Sequence, residues 1–192
     1  MISPAPELTP QEKTLKRVLL ISLIDGWSII AFAAFGTLLT LLFGDYSGLA
    51  VGVLIAIAGA MEIRGRNKLR RRNPDGMKLL VRSQFFLLAV ILVYCTSRLG
   101  SFDGESAMGN LTPDMEEALK ESGLARADIL PMVRTIFFVL YGGVAIGTII
   151  FQGGMSLYYR RKTAQVTAAL SVPVYPSISP LPLSPSPPFD GL

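Results

Sequence analysis

Apolar residues in this chain gather into four blocks, and the polar residues between them carry charges that change sign from one gap to the next. The blocks centre on Val18–Phe43, Gly48–Met61, Phe85–Tyr94 with its flanks, and Thr135–Tyr158. A helix needs roughly 20 predominantly apolar residues to cross a hydrocarbon core about 30 Å thick. The pattern therefore predicts an all-α integral membrane protein. Its expected fold is an antiparallel bundle of four transmembrane helices, with spans at about residues 18–43, 47–63, 79–98 and 132–159.

Local signals place the ends of these elements. Thr9-Pro10-Gln11-Glu12 combines a capping hydroxyl, a proline suited to the first helical position and an acid at the capping-box position. Asn73-Pro74-Asp75-Gly76 reads as the turn between the second and third helices. Thr112-Pro113-Asp114 starts a further segment in which Met115, Ala118, Leu119 and Ser122 share a face, and Gly123 closes it. That segment is expected to be a short amphipathic helix in the outer loop between helices 3 and 4. Residues 1–9 are expected to be a disordered tail and 10–162 the transmembrane domain. Residues 163–192, with prolines at 173, 176, 180, 182, 185, 187 and 188, are expected to be a disordered proline-rich tail. Lys13, Lys16 and Arg17 ahead of an apolar run resemble a leader peptide, with Ala31-Phe32-Ala33 as a cleavage site. Asp25 interrupts that run, however, and apolar sequence continues to Phe43, so the first helix is expected to be retained.

Charge then sets an expected orientation. Between Glu62 and Arg82 lie the cations Arg64, Arg66, Lys68, Arg70, Arg71, Arg72, Lys78 and Arg82, and both the N-terminal flank and Arg160-Arg161-Lys162 are basic. The gap from Leu99 to Pro131 is rich in Asp and Glu. Cations stay on the cytoplasmic side, so both termini and the basic hairpin should be cytoplasmic, in a plasma (inner) membrane. Arg64, Arg66, Lys68, Arg70, Arg71 and Arg72 are the expected contacts to anionic lipid headgroups; no nucleic-acid partner is needed to explain them.

Composition removes most chemistry. The chain is 51% hydrophobic and 17% charged, with no histidine and one cysteine, Cys95. The commonest general base and metal ligand is therefore missing, and no intramolecular disulfide can form. No catalytic group, metal site or cofactor is expected, and the protein is not expected to be an enzyme. Two features remain. The first is a polar layer inside the membrane made by Asp25, Gln84 and Gln152, with Arg82 reaching toward it. Asp25 lies eight residues beyond Arg17 and Gln152 eight before Arg160, which puts both at about 12 Å from the basic surface. The second is a set of small residues that let helix backbones approach: Gly48 and Gly52 on the second helix, and Gly143, Gly147 and Gly154 on the fourth. On these grounds the expected role is a non-enzymatic accessory or scaffold subunit, self-associating or bound to a larger membrane partner. The alternative is a small transporter or channel built on Asp25.

Overall fold

The computed structural model describes residues 9–42, 44, 46–104, 114, 117, 121, 123 and 126–171. Four long helices, α1 (Pro10–Leu42), α2 (Tyr46–Arg70), α3 (Asp75–Gly100) and α4 (Arg126–Ser171), account for nearly all of these residues. Each is long and apolar enough to cross a membrane. The all-helical character expected from the hydropathy pattern is present, with four helices of membrane-spanning length and apolarity. The expected amphipathic helix between α3 and α4 falls largely outside the described residues, as do residues 1–8 and 172–192.

Helix α1 begins at the expected capping box. The Thr9 amide donates to Glu12 Oε2 at 2.8 Å, and the Glu12 amide donates to Thr9 Oγ1 at 3.3 Å. This is the reciprocal pairing that satisfies two free amide groups at a helix start. Helix α2 ends at Arg70, and Arg71 and Arg72 separate it from the turn signal that begins at Asn73. Arg72 adopts φ +59°, left-handed for a residue other than glycine, and the Asn73 amide reaches back to the Lys68 carbonyl at 3.0 Å. Asn73 Oδ1 accepts from the Asp75 amide at 2.9 Å, and α3 starts there. Gly76 is therefore not a turn residue: it lies in the first turn of α3 and is buried.

Helix α4 differs most from expectation. It does not stop at the cationic cluster ending with Lys162 but continues to Ser171. The residues beyond Lys162 contain no Pro or Gly until Pro173, and they keep an apolar side: Val166 and Ala169 are buried and Leu170 packs nearby.

Chain neighbours pack on one another, and α4 packs on both α3 and α1. The α1–α2 seam is set by glycine. A Cβ added to Gly59 would sit 3.1 Å from the Gly26 carbonyl and 2.7 Å from Ile30 Cγ1, and one added to Gly52 would run into Thr37. A Cβ on Gly26 would meet Ile63 at 3.1 Å. Contacts thus pair early α1 with late α2 and late α1 with early α2, as antiparallel neighbours require. The α2–α3 seam works the same way, with Gly76 against the Gly65 carbonyl and Leu69.

Two apolar clusters fill the bundle. Near the basic end, Val18, Leu69, Met77, Leu80, Tyr159 and Val166 pack together, with one or more residues from every helix. Further along, Ile29, Ala58 and Leu87 form a second cluster from α1, α2 and α3. Toward the acidic-loop end, α4 meets α3 through the edge-on Tyr94–Tyr141 pair at 6.0 Å, and Phe102, just past the end of α3, packs tilted on Phe137 at 4.8 Å. The most apolar stretch of α4 contains no buried residue.

Candidate functional site

Between the two apolar clusters lies a layer of buried polar side chains, each supplied by a different helix. The spacing follows from the sequence. Asp25 is seven residues after Val18 and four before Ile29 on α1. Glu62 falls between Ala58 and Leu69 on α2, and Gln84 between Leu80 and Leu87 on α3. Separations of three, four and seven put these residues on the same faces as their apolar neighbours.

The layer is directly bonded. Gln84 Nε2 donates to Asp25 Oδ2 at 2.7 Å and to Glu62 Oε2 at 2.6 Å. Tyr159 Oη donates to the other Glu62 oxygen, Oε1, at 2.8 Å. Asp25 is 6% exposed, while Glu62, Gln84 and Tyr159 are fully buried. One amide nitrogen therefore holds two carboxylate oxygens, which places them within about 5 Å of each other. No Lys or Arg among the described residues forms an ion pair with either acid. Arg64, two residues on from Glu62, is exposed, and Arg66, one turn on, is turned inward onto α1. Arg66 Nε donates to the Leu19 carbonyl at 3.1 Å, an oxygen that also accepts from Ser22 Oγ at 3.3 Å.

The sequence-predicted layer is thus present in part and differently composed. Asp25 and Gln84 meet, as expected. Gln152 is buried on α4, but no hydrogen bond joins it to the acids. Arg82 is not in the layer: its side chain is exposed on the outer face of α3, while Ser83 and Gln84 point inward. Turning Arg82 outward lets the guanidinium reach the polar surface instead of shedding its hydration. Glu62 and Tyr159 take the places left open. In the sequence, Glu62 marks the edge of the basic hairpin, and Tyr159 directly precedes the Arg160-Arg161-Lys162 cluster. The signal that could have found Glu62 is its position as a single acid at the end of the small-residue stretch that ends Ala58-Gly59-Ala60.

The remaining predicted residues separate by side. Gly48 and Gly52 are buried within the chain, so that glycine pair is used in the α1–α2 seam. Gly143, Gly147 and Gly154 are exposed, and a Cβ added to any of them would meet nothing within 4 Å. Arg64, Lys68, Arg70, Arg71 and Arg72 are exposed, whereas Arg66 is turned inward onto α1. Arg64, Asn67, Lys68 and Arg71 line a hollow of about 480 Å³ beside Met61 and Leu79.

Compared with protein-family models, with curated proteins and with solved structures, the chain matches none of them. The side chains themselves therefore carry the functional reading. Chemically, the layer offers two carboxylates, an amide and a phenol in a low-dielectric interior, with no metal-binding cluster of His, Cys, Asp and Glu among the described residues. Such a set can hold and release a positive charge.

Proposed function

We propose that this protein is a small multi-pass membrane carrier in which Asp25 and Glu62 together bind a proton or another small cation. One observation carries the reading: two carboxylates on two helices share a single amide donor in a buried layer, with no cationic side chain bound to them. Two unit charges about 5 Å apart repel by about 3 kcal/mol at an effective dielectric of 20. A carboxylate inside a membrane helix costs a further few kcal/mol. A structural clamp needs neither cost, since two amides would make the same bridge. Uptake of one positive charge relieves both, and its release restores them, which is what a coupling site requires.

The test is transport in proteoliposomes under an imposed pH gradient, together with infrared titration of the carboxyl groups. Wild-type protein moves charge across the membrane, and Asp25→Asn and Glu62→Gln each abolish that movement. If wild-type vesicles hold the gradient as well as empty ones do, and the carboxyl bands ignore pH, the reading fails.

In the same proposal both termini and the basic hairpin face the cytoplasm of a plasma membrane, and the exposed cations Arg64, Lys68, Arg70, Arg71 and Arg72 touch anionic headgroups there. A second reading has its own support. The face of α4 that carries Gly143, Gly147 and Gly154 is empty within the chain, which suits association with another copy or a larger membrane protein. Cross-linking in native membranes tests it: Gly147→Leu abolishes the cross-linked species if this face is the contact, and leaves it intact if it is not.

A further inference from the structure

Among the described residues, four buried side-chain polar atoms take part in no hydrogen bond, and one of them is Tyr158 Oη. The other three are Gln84 Oε1, Gln152 Oε1 and Ser156 Oγ. Gln84 is 0%, Ser156 3% and Gln152 7% exposed. An unpaired buried polar group costs about 1–3 kcal/mol. Gln84 lies in the layer itself, and Ser156 and Gln152 follow one another along the face of α4 that carries Tyr159.

Their positions have an order. Ser156 precedes Tyr159 by three residues and Gln152 precedes it by seven, so the three share one face of α4. Along the axis they lie about 4.5 and 10 Å from Tyr159, toward the acidic-loop end. Thr148, half-buried, continues the same face by one more turn. Tyr159 in turn donates to Glu62, and Gln84, which bridges Glu62 to Asp25, presents its free oxygen in the same layer. Two of the free atoms are amide oxygens, which can only accept, and the third is a hydroxyl, which can donate and accept. A species that pairs with all three must therefore bring donors. Water does so, and a buried water typically makes about three hydrogen bonds to groups of this kind.

We propose that Gln84 Oε1, Ser156 and Gln152 hold a short file of water that runs along α4 to Tyr159 and delivers a proton to the Asp25–Glu62 pair from the acidic-loop side. This rests on the ion-binding reading of the pair and narrows it: the bound cation is a proton, relayed through water. The groups that face the file are Asp25 from α1, Glu62 from α2, Gln84 from α3 and Tyr159 from α4. Arg66 lies beyond the pair, toward the basic end, and stays on the Leu19 carbonyl.

Thiol accessibility tests the file. In a Cys95→Ala background, Ser156→Cys, Gln152→Cys and Ala58→Cys are made singly in lipid nanodiscs and exposed to silver ion, a probe small enough for a narrow aqueous passage. Ala58 is as deeply buried but sits in the apolar cluster. A thiol reacts as thiolate, which water favours, so cysteines at 156 and 152 should react at least about tenfold faster than at 58. Equal, slow reaction at all three positions overturns the file. A second measurement covers a variant that fails to fold: Gln152→Leu should slow proton uptake after a pH jump by about tenfold while leaving the equilibrium carboxyl titration unchanged. An unchanged rate overturns the file. Because the equilibrium titration reads the carboxylates alone, a missing file with a normal titration leaves the ion-binding reading standing. A flat titration removes that reading instead.

Discussion

Replacing Gln84 by Met keeps side-chain length and volume while deleting both N–H donors from the centre of the bundle. The structure supplies the size of the effect. Two bonds are lost, at 2.7 and 2.6 Å, both to carboxylate oxygens. Between neutral groups, interhelical hydrogen bonds in membranes average about 0.6 kcal/mol, so two would cost about 1 kcal/mol. Bonds to charged groups are worth about 1.5–3 kcal/mol each, so the expected loss is about 3 kcal/mol or more. The larger value also reflects the carboxylates left facing each other with only Tyr159 to hold one of them. Unfolding by sodium dodecyl sulfate in mixed micelles, followed by circular dichroism and by the fluorescence of the single tryptophan, Trp27, measures the difference. The same substitution in an Asp25→Asn, Glu62→Gln background should cost within about 1 kcal/mol, because neutral amides can pair with each other. If Gln84→Met costs less than about 0.5 kcal/mol in the wild-type background, the amide is not the bridge, and the argument for a charge-binding layer loses its centre.

Four further outcomes follow from the packing, the polar layer and the start of α1. Gly76→Ala should destabilise the α2–α3 seam by about 1–3 kcal/mol in the same assay, because the added methyl meets the Gly65 carbonyl at 2.5 Å. Gly147→Ala, which meets nothing, should stay within about 0.5 kcal/mol of wild type in the monomer. Tyr159→Phe removes the donor that Glu62 Oε1 has among the described residues, with little change in volume, and should shift the infrared band of the Glu62 carboxyl while leaving that of Asp25 in place. The Thr9 amide and hydroxyl hold the Glu12 carboxyl below its ordinary value. Because that group is depressed in the folded protein, the support it gives to the start of α1 is present above the usual carboxylate range and fades as pH falls through the depressed value. Thr9→Ala should return the Glu12 titration, followed by NMR, toward the ordinary range.

The four spans were legible because hydropathy alone sets the length of a membrane helix. The capping box at Thr9 was legible because it is a local pairing with a fixed spacing. The composition of the polar layer was only half legible, for a physical reason. Depth along a helix can be counted from the flanking cations, which matches Asp25 with Gln152, although the structure joins Asp25 to Gln84 instead. The facing direction depends on how neighbouring helices rotate, and that rotation is set by where Gly26, Gly59, Gly65 and Gly76 let backbones touch. Arg82 and Gln84 are two residues apart and so point to different sides of α3; counting depth could not separate them. Glu62 was concealed by its surroundings, since a tally of charge between Glu62 and Arg82 records a basic hairpin and not that its one leading acid faces inward. The extension of α4 to Ser171 was missed because the cationic cluster was read as an end, although no helix-breaking residue follows until Pro173.

The glycine seams also decide which parts of the bundle can move. Sliding α1 along α2 by a turn would bring side chains to the places where Gly26, Gly52 and Gly59 now admit a neighbour, and sliding α3 along α2 would do the same at Gly65 and Gly76. Those three helices are keyed together like a stator. Helix α4 carries no such key: a Cβ added at Gly142, Gly143, Gly147, Gly153 or Gly154 would meet nothing within 4 Å, its contacts toward the acidic-loop end are aromatic, and among the described residues its hydrogen bond into the layer is the Tyr159 hydroxyl. Rotation or tilt of α4 is therefore the motion with least to break, and Tyr159 is the pin through which it reaches the carboxylates.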